Sequence, residues 1–166
     1  MTTTRVERTI AFIDLSGFTS FTDVQGDDRA VEVLSAFRSI VREIASARGV
    51  RIAKWMGDGA MLVGVEAEPL MEALVDIEHR SAAAVPLALR AGVTSGPVIL
   101  IDGDDYIGHA VNVASRLCDE AAPKEVLAPA DAISALLVNT ATEPIGPRDI
   151  PGLAQPVEVV RLSAFD

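Results

Sequence analysis

An apolar run, Ile10-Ala11-Phe12-Ile13, ends on an acid, Asp14, and three residues later Gly17 opens a polar-capped apolar segment. This order predicts a buried strand that carries a carboxylate to its end, then a turn and a helix start over Gly17 to Val24. A carboxylate beside the free N–H groups of a helix start can hold a divalent cation and the phosphates it neutralises. The plainer reading is a strand-terminating Asp14 that caps the next helix.

The rest of the chain falls into alternating elements. After a turn with an N-cap at Gln25 to Asp28, the residues Ala30, Val33, Leu34, Phe37, Ile40, Val41 and Ile44 recur at helical spacing, and Gly49 ends that helix. Val50 to Met56 and Ala60 to Val65 are extended and flank Gly57-Asp58-Gly59, which reads as a hairpin with an acid at its tip. Glu68 to Ala83 is an amphipathic helix with Pro69 in its first turn. Leu87 to Val93 and Val98 to Ile101, separated by Thr94-Ser95-Gly96-Pro97, read as a second hairpin. Gly108 to Ala122 is helical, and short strands at Glu125 to Leu127, Thr142 to Ile145 and Val157 to Leu162 surround a helix from about Ala130 to Val138. Two hairpins between helices predict an α+β fold, with helices on one face of a largely antiparallel sheet.

At 166 residues the chain fits one domain spanning residues 1–166. A net charge of −10 argues against a nucleic-acid surface, because phosphate backbones are bound by clustered Lys and Arg. The single cysteine, Cys118, forms no internal disulfide, and the N-terminus has no apolar signal core, so a cytoplasmic setting is expected. The alanine-rich stretch Ser81 to Leu89 is broken by Arg90 and is far short of the roughly 20 residues a membrane span needs, so no membrane contact is expected.

Two constellations carry chemistry. Asp14 and Asp58 occupy matching contexts and can converge, giving the paired carboxylates that two divalent ions on a triphosphate require, although Gly57-Asp58-Gly59 also reads as a plain turn. In VNVASRL, Asn112 and Arg116 stand four residues apart on one helix face, suited to a ribose and to charge building on a phosphate. The alternative is an Arg116 to Asp119 surface pair, which leaves Asn112 unexplained.

The segments FIDLSGFT, KWMGDGAM and GHAVNVASR, in this order and spacing, resemble the class III nucleotidyl cyclase catalytic domain, in a minimal stand-alone bacterial form. The resemblance implies a ferredoxin-like βαββαβ core with extra elements, and active sites shared between two chains of a homodimer. It implies that Asp14, Asp58 and the Leu15 carbonyl hold two divalent ions, Mg²⁺ or Mn²⁺, with the amides of Ser16, Gly17, Phe18 and Thr19 facing phosphates. Lys54 and Asp105 match the positions that specify adenine, whose N1 acceptor and N6 donor complement a lysine and an aspartate, while guanine reverses both. Asn112 and Arg116 match the family's transition-state pair, contributed by the opposite chain. The expected activity is therefore an adenylyl cyclase acting on ATP in signal transduction. A guanylyl cyclase and a catalytically degenerate nucleotide-binding regulatory module are the alternatives.

Three positions depart from some relatives: Pro97 and Pro151-Gly152 stand where others carry phosphate-binding cations, and Ile107 replaces a larger aromatic. His79 and His109 read as solvated residues and Cys118 as a small buried one. The acids Asp27, Asp28, Asp102 and Asp104 read as solvated turns, and Trp55 as a core or dimer-seam residue.

Overall fold

The strand that ends on Asp14 lies at the centre of the sheet. In a computed structural model, which describes residues 4–102 and 105–165, β1 (Arg5–Leu15) is bordered on both sides by antiparallel partners. One is β3 (Gly59–Gly64), itself paired with β2 (Arg51–Met56); the other is β4 (Leu89–Ile101). The short β5 (Asp105–Ile107) folds back on the end of β4. The sheet continues through β6 (Val126–Pro129), β8 (Val157–Ala164) and β7 (Thr140–Arg148), in the order β2-β3-β1-β4-β6-β8-β7. Only the β4–β6 pair is parallel among the described residues. Asp104 lies outside the described residues; Asp27, Asp28 and Asp102 are exposed.

Between β1 and β2 run α1 (Phe18–Gln25) and α2 (Asp27–Arg48), and α3 (Ala67–Ala84) joins β3 to β4. This gives the expected ferredoxin-like core, a split βαβ pair with β1 and β3 inside. The α2 stripe lies where its spacing puts it, with Val33, Phe37, Val41 and Ile44 buried against Ala11, Ile13 and Leu15 of β1. Gly49 closes α2 in the left-handed region, its N–H donating to the carbonyls of Ala45 and Ser46. The turn before α2 shrinks to Gly26, and no side chain caps that helix; Asp27 and Asp28 instead sit in its first turn, where the helix dipole favours acids.

The helices flank both faces rather than one. Alternate residues of β1, Ile10 and Phe12, face a second apolar layer with Met61, Val63, Val98 and the buried side of α4 (His109–Glu120). An unbroken apolar run such as Ile10 to Ile13 is what a strand covered on both faces requires. The close seat of α4 depends on Gly92 of β4, where a Cβ would collide with the Ala114 carbonyl and lie 2.7 Å from the Leu117 Cβ. Gly92→Ala is therefore expected to destabilise the fold by about 3 kcal/mol. Denaturant unfolding checks this, and an unchanged midpoint would mean that α4 can lift off β4 freely.

Two local expectations are corrected. Thr94-Ser95-Gly96-Pro97 is not a turn: β4 runs straight through it, paired with β1 from Arg5↔Ile99 to Leu15↔Leu89. Gly96 answers to the close passage of α4, since a Cβ at this position would lie 3.2 Å from the Ala110 Cβ. Pro97 is tolerated where β4 has a strand neighbour on the β1 side only. The reversal comes instead between β4 and β5. The helix expected over 130–138 is a single 3-10 turn, Ala130–Ala132. Beyond it the Ser134 hydroxyl accepts the Leu136 N–H, Val138 N–H donates to Glu72, and the Asn139 amide donates to Asp76. Those bonds pin the segment to α3 and displace the helical ladder.

Candidate active site

Sheet register brings the two acids together. Gly59 is the cross-strand partner of Asp14, so Asp58, one residue earlier in the β2–β3 turn, lies at the same end of the sheet. The turn needs its glycines: Gly57 has φ +59°, and a Cβ on Gly59 would collide with the Ile13 carbonyl and lie 2.9 Å from the Asp14 Cβ. Both acids line a hollow of about 110 Å³ walled by Ser115, Cys118 and Asp119 of α4. Burial pushes the Asp58 carboxyl above the ordinary range, and the charge of Asp14 pushes it the same way. The turn is tied to α2 by Arg38, which donates to the Gly57 carbonyl at 3.0 Å and, with Arg42, stacks on the half-buried Trp55.

Arg90, which no sequence signal singles out, is the cross-strand partner of Asp14 on the β4 side. Its Nε donates to one Asp14 carboxylate oxygen at 2.6 Å, its Nη2 to the other at 3.1 Å, and its Nη1 to the Asp119 carbonyl at 3.1 Å. Asp14 is thus bound to Arg90 and does not cap α1, whose N-cap is Gly17 with no side-chain bond. The carboxylates of Asp14 and Asp58 in one hollow are oxygen donors of the kind hard divalent cations take, and Leu15, the last residue of β1, follows Asp14 directly. Among the described residues no three His, Cys, Asp or Glu side chains cluster as a metal site, so further ligands would be carbonyl, water or substrate oxygens. The raised Asp58 carboxyl beside Asp14 is a charge conflict that such a cation would relieve.

Of the amides expected to face phosphates, Ser16 to Thr19, that of Ser16 is committed elsewhere. The Ser16 N–H donates to the Ala88 carbonyl at 2.8 Å and is spent inside the fold. The first N–H to enter the α1 ladder is that of Phe21, bonded to Gly17, so Phe18, Thr19 and Ser20 carry amides without a helical acceptor.

Lys54 and Asp105 meet, with Nζ 3.8 Å from Oδ1. A β-bulge makes this happen: Ile52 pairs with Leu62 but Lys54 pairs with Met61, so Ala53 is extra. Regular pairing would turn Lys54 to the α2 face; the bulge turns it to the face of Met61 and Tyr106, where β5 presents Asp105. Both side chains are half exposed and open to a ligand.

Asn112 and Arg116 share one wall of a separate hollow of about 280 Å³, with Pro151 opposite. Arg116 donates to the Pro151 carbonyl and forms no ion pair with Asp119 among the described residues. Gly152 leaves it room, since a Cβ there would lie 2.5 Å from Nη1. The Pro151-Gly152 loop therefore seats the guanidinium instead of supplying a cation. His79 and His109 are exposed. Cys118 is buried, and that burial pushes its thiol up to about 12, too high for a nucleophile at neutral pH.

No family model matches the chain. The adenylyl cyclase CyaB from P. aeruginosa superposes with a TM-score of 0.87 at 22% identity, over 100% of this chain and 98% of that one. An adenylate cyclase of Streptomyces coelicolor is 34% identical over 145 residues, 86% of this chain and 35% of its own. The chain is a class III nucleotidyl cyclase domain. An uncharacterised protein of Mycobacterium tuberculosis is 36% identical over 154 residues, 92% of this chain and 40% of its own. The cyclase domain thus spans about 40% of the length of the first curated relatives it matches. No helix among the described residues is long and apolar enough to cross a membrane.

Proposed function

We propose that this cyclase domain is an adenylyl cyclase: it converts ATP to 3′,5′-cyclic AMP and pyrophosphate at a site shared by two copies of the chain. The observation that carries the reading is the convergence of Asp14 and Asp58 in one hollow at the sheet's end. The ribose 3′-oxygen forms a bond to the α-phosphorus, the bond from that phosphorus to the β-phosphate bridging oxygen breaks, and pyrophosphate leaves with the electron pair. The 3′-hydroxyl proton passes to water. Mg²⁺ or Mn²⁺ ions held by Asp14, Asp58 and the Leu15 carbonyl would supply hydroxyl activation and neutralise the triphosphate. The amides at the start of α1 receive phosphate oxygens, and with neither Pro97 nor the Pro151-Gly152 loop offering a cation, those amides carry more of that task. Asn112 orients the ribose, and Arg116 meets the charge that builds on the α-phosphate. Lys54 donates to adenine N1 and Asp105 accepts from N6.

Cyclase assays with ATP and GTP, each under Mg²⁺ and Mn²⁺, test this reading. Cyclic AMP formation with ATP preferred over GTP is expected. Cyclic GMP as the sole product would favour the guanylyl alternative, and tight nucleotide binding without any product would favour a regulatory module. The purine assignment has its own check. Lys54→Glu with Asp105→Gly is expected to lower kcat/KM for ATP about 100-fold, because a polar site that mismatches its ligand leaves donors and acceptors unpaired. Activity on GTP should rise from background. An unaltered ATP preference in the double variant would remove Lys54 and Asp105 from the reader role.

A further inference from the structure

We infer that Arg90 is a resident counter-cation of the metal site: it occupies Asp14 in the metal-free domain and competes with divalent ions for the same carboxylate. The inference rests on the two-metal reading above and adds to it a residue that acts through Asp14, a positioning residue. Its basis is geometric. Arg90 and Asp14 face each other on adjacent strands, β4 and β1, so their backbones are fixed by sheet register. The guanidinium contacts both oxygens of Asp14 at once, through Nε and Nη2. Its remaining Nη1 is anchored to the Asp119 carbonyl at the end of α4, and the Cys118 thiol leans on the Arg90 carbonyl at 3.7 Å. Strand and helix together therefore hold the fork on Asp14.

A divalent ion that uses Asp14 must share oxygens from which Arg90 already draws electron density through two hydrogen bonds, and it must sit near a fixed positive charge while doing so. Both effects weaken metal uptake by the domain alone. A triphosphate brings negative charge that offsets the guanidinium, so metal is taken up together with nucleotide. If Arg90 merely oriented Asp14, its removal would weaken metal binding; if it competes, removal strengthens it. The sign separates the two roles.

The test is Mn²⁺ titration of the full chain without nucleotide, followed by the electron paramagnetic resonance signal of free Mn²⁺. Arg90→Gln is expected to bind Mn²⁺ at least about tenfold more tightly than the unaltered chain, the scale set by losing one unit charge at close range. Arg90→Ala, read alongside, should shift the same way, and Arg90→Lys, which keeps the charge, should stay near the starting value. Adding Asp14→Asn to Arg90→Gln should erase the gain. Circular dichroism establishes that each variant is folded. Equal or weaker Mn²⁺ binding by folded Arg90→Gln and Arg90→Ala overturns the inference. A parallel titration with a non-hydrolysable ATP analogue, read against the same Mn²⁺ and analogue mixture without protein, keeps the two readings apart. If the unaltered chain takes up Mn²⁺ with the analogue but the variants show no gain without it, only the role of Arg90 falls. If the unaltered chain takes up no Mn²⁺ even then, the two-metal reading falls and this inference with it.

Discussion

Asp14→Ala and Asp58→Ala are each expected to reduce cyclisation on the order of 10³-fold or more, because one remaining carboxylate cannot hold cations against the repulsion of a triphosphate. The two variants should differ in stability. Asp14→Ala strips Arg90 of its only carboxylate partner among the described residues, leaving a partly buried guanidinium uncompensated, and should lower the melting temperature. Asp58 is the opposite case. Its carboxyl is pushed up by burial and by Asp14, so in the metal-free fold its charged form is disfavoured. A carboxyl raised on folding binds more protons folded than unfolded, and the stability it lends below its unfolded pKa is lost as pH rises through the folded value. With chelator at neutral pH, Asp58→Asn should therefore match or exceed the parent in melting temperature while activity vanishes. Near-parental activity of either alanine variant at saturating Mn²⁺ would refute the metal assignment.

Mixing Asp14→Ala protein with Arg116→Ala protein, each inactive alone, is expected to restore roughly a quarter of parental activity. With random exchange at equal mixing, half of the dimers are mixed. Each mixed dimer has one site built from two intact contributions and one site carrying both defects. Within a single chain the Asp14–Asp58 hollow and the Asn112–Arg116 hollow are separate but share Ser115 and Asp119 in their walls. A site closed within one chain is thus the specific competitor, and in that case mixing restores nothing. Subunit exchange, followed with a labelled chain, must accompany the assay. Demonstrated exchange without recovered activity would remove Asn112 and Arg116 from the partner's site.

What the sequence discloses follows from how local the governing physics is. The α2 stripe and the Gly49 stop are legible because helical periodicity and the left-handed C-cap are set within a few residues. Asp14 and Asp58 are legible as a pair because each marks a strand end. Thr94 to Pro97 reads wrongly as a turn because Gly and Pro signal turns by default, whereas here Gly96 answers to α4, a contact made by residues further along the chain. Arg90 is silent in the sequence because its meaning lies in a register with β1, 76 positions away from Asp14. Lys54 is placed by family likeness alone; the bulge at Ala53 that aims it leaves no mark in composition.

The central position of β1 bears on how the molecule is made. Synthesis delivers this strand before its partners: β3 emerges only after α2 has been translated, and β4 only after α3. Until residue 101 has cleared the ribosome, Ile10, Ala11 and Ile13, all buried in the finished fold, have no complete shelter. Loop closure across such separations adds little free energy per added residue but slows the search, so the nascent chain passes through a stage with an apolar strand unpaired. Yield in overexpression will accordingly depend on translation speed and on chaperones that shield short apolar segments, more than on the stability of the completed sheet.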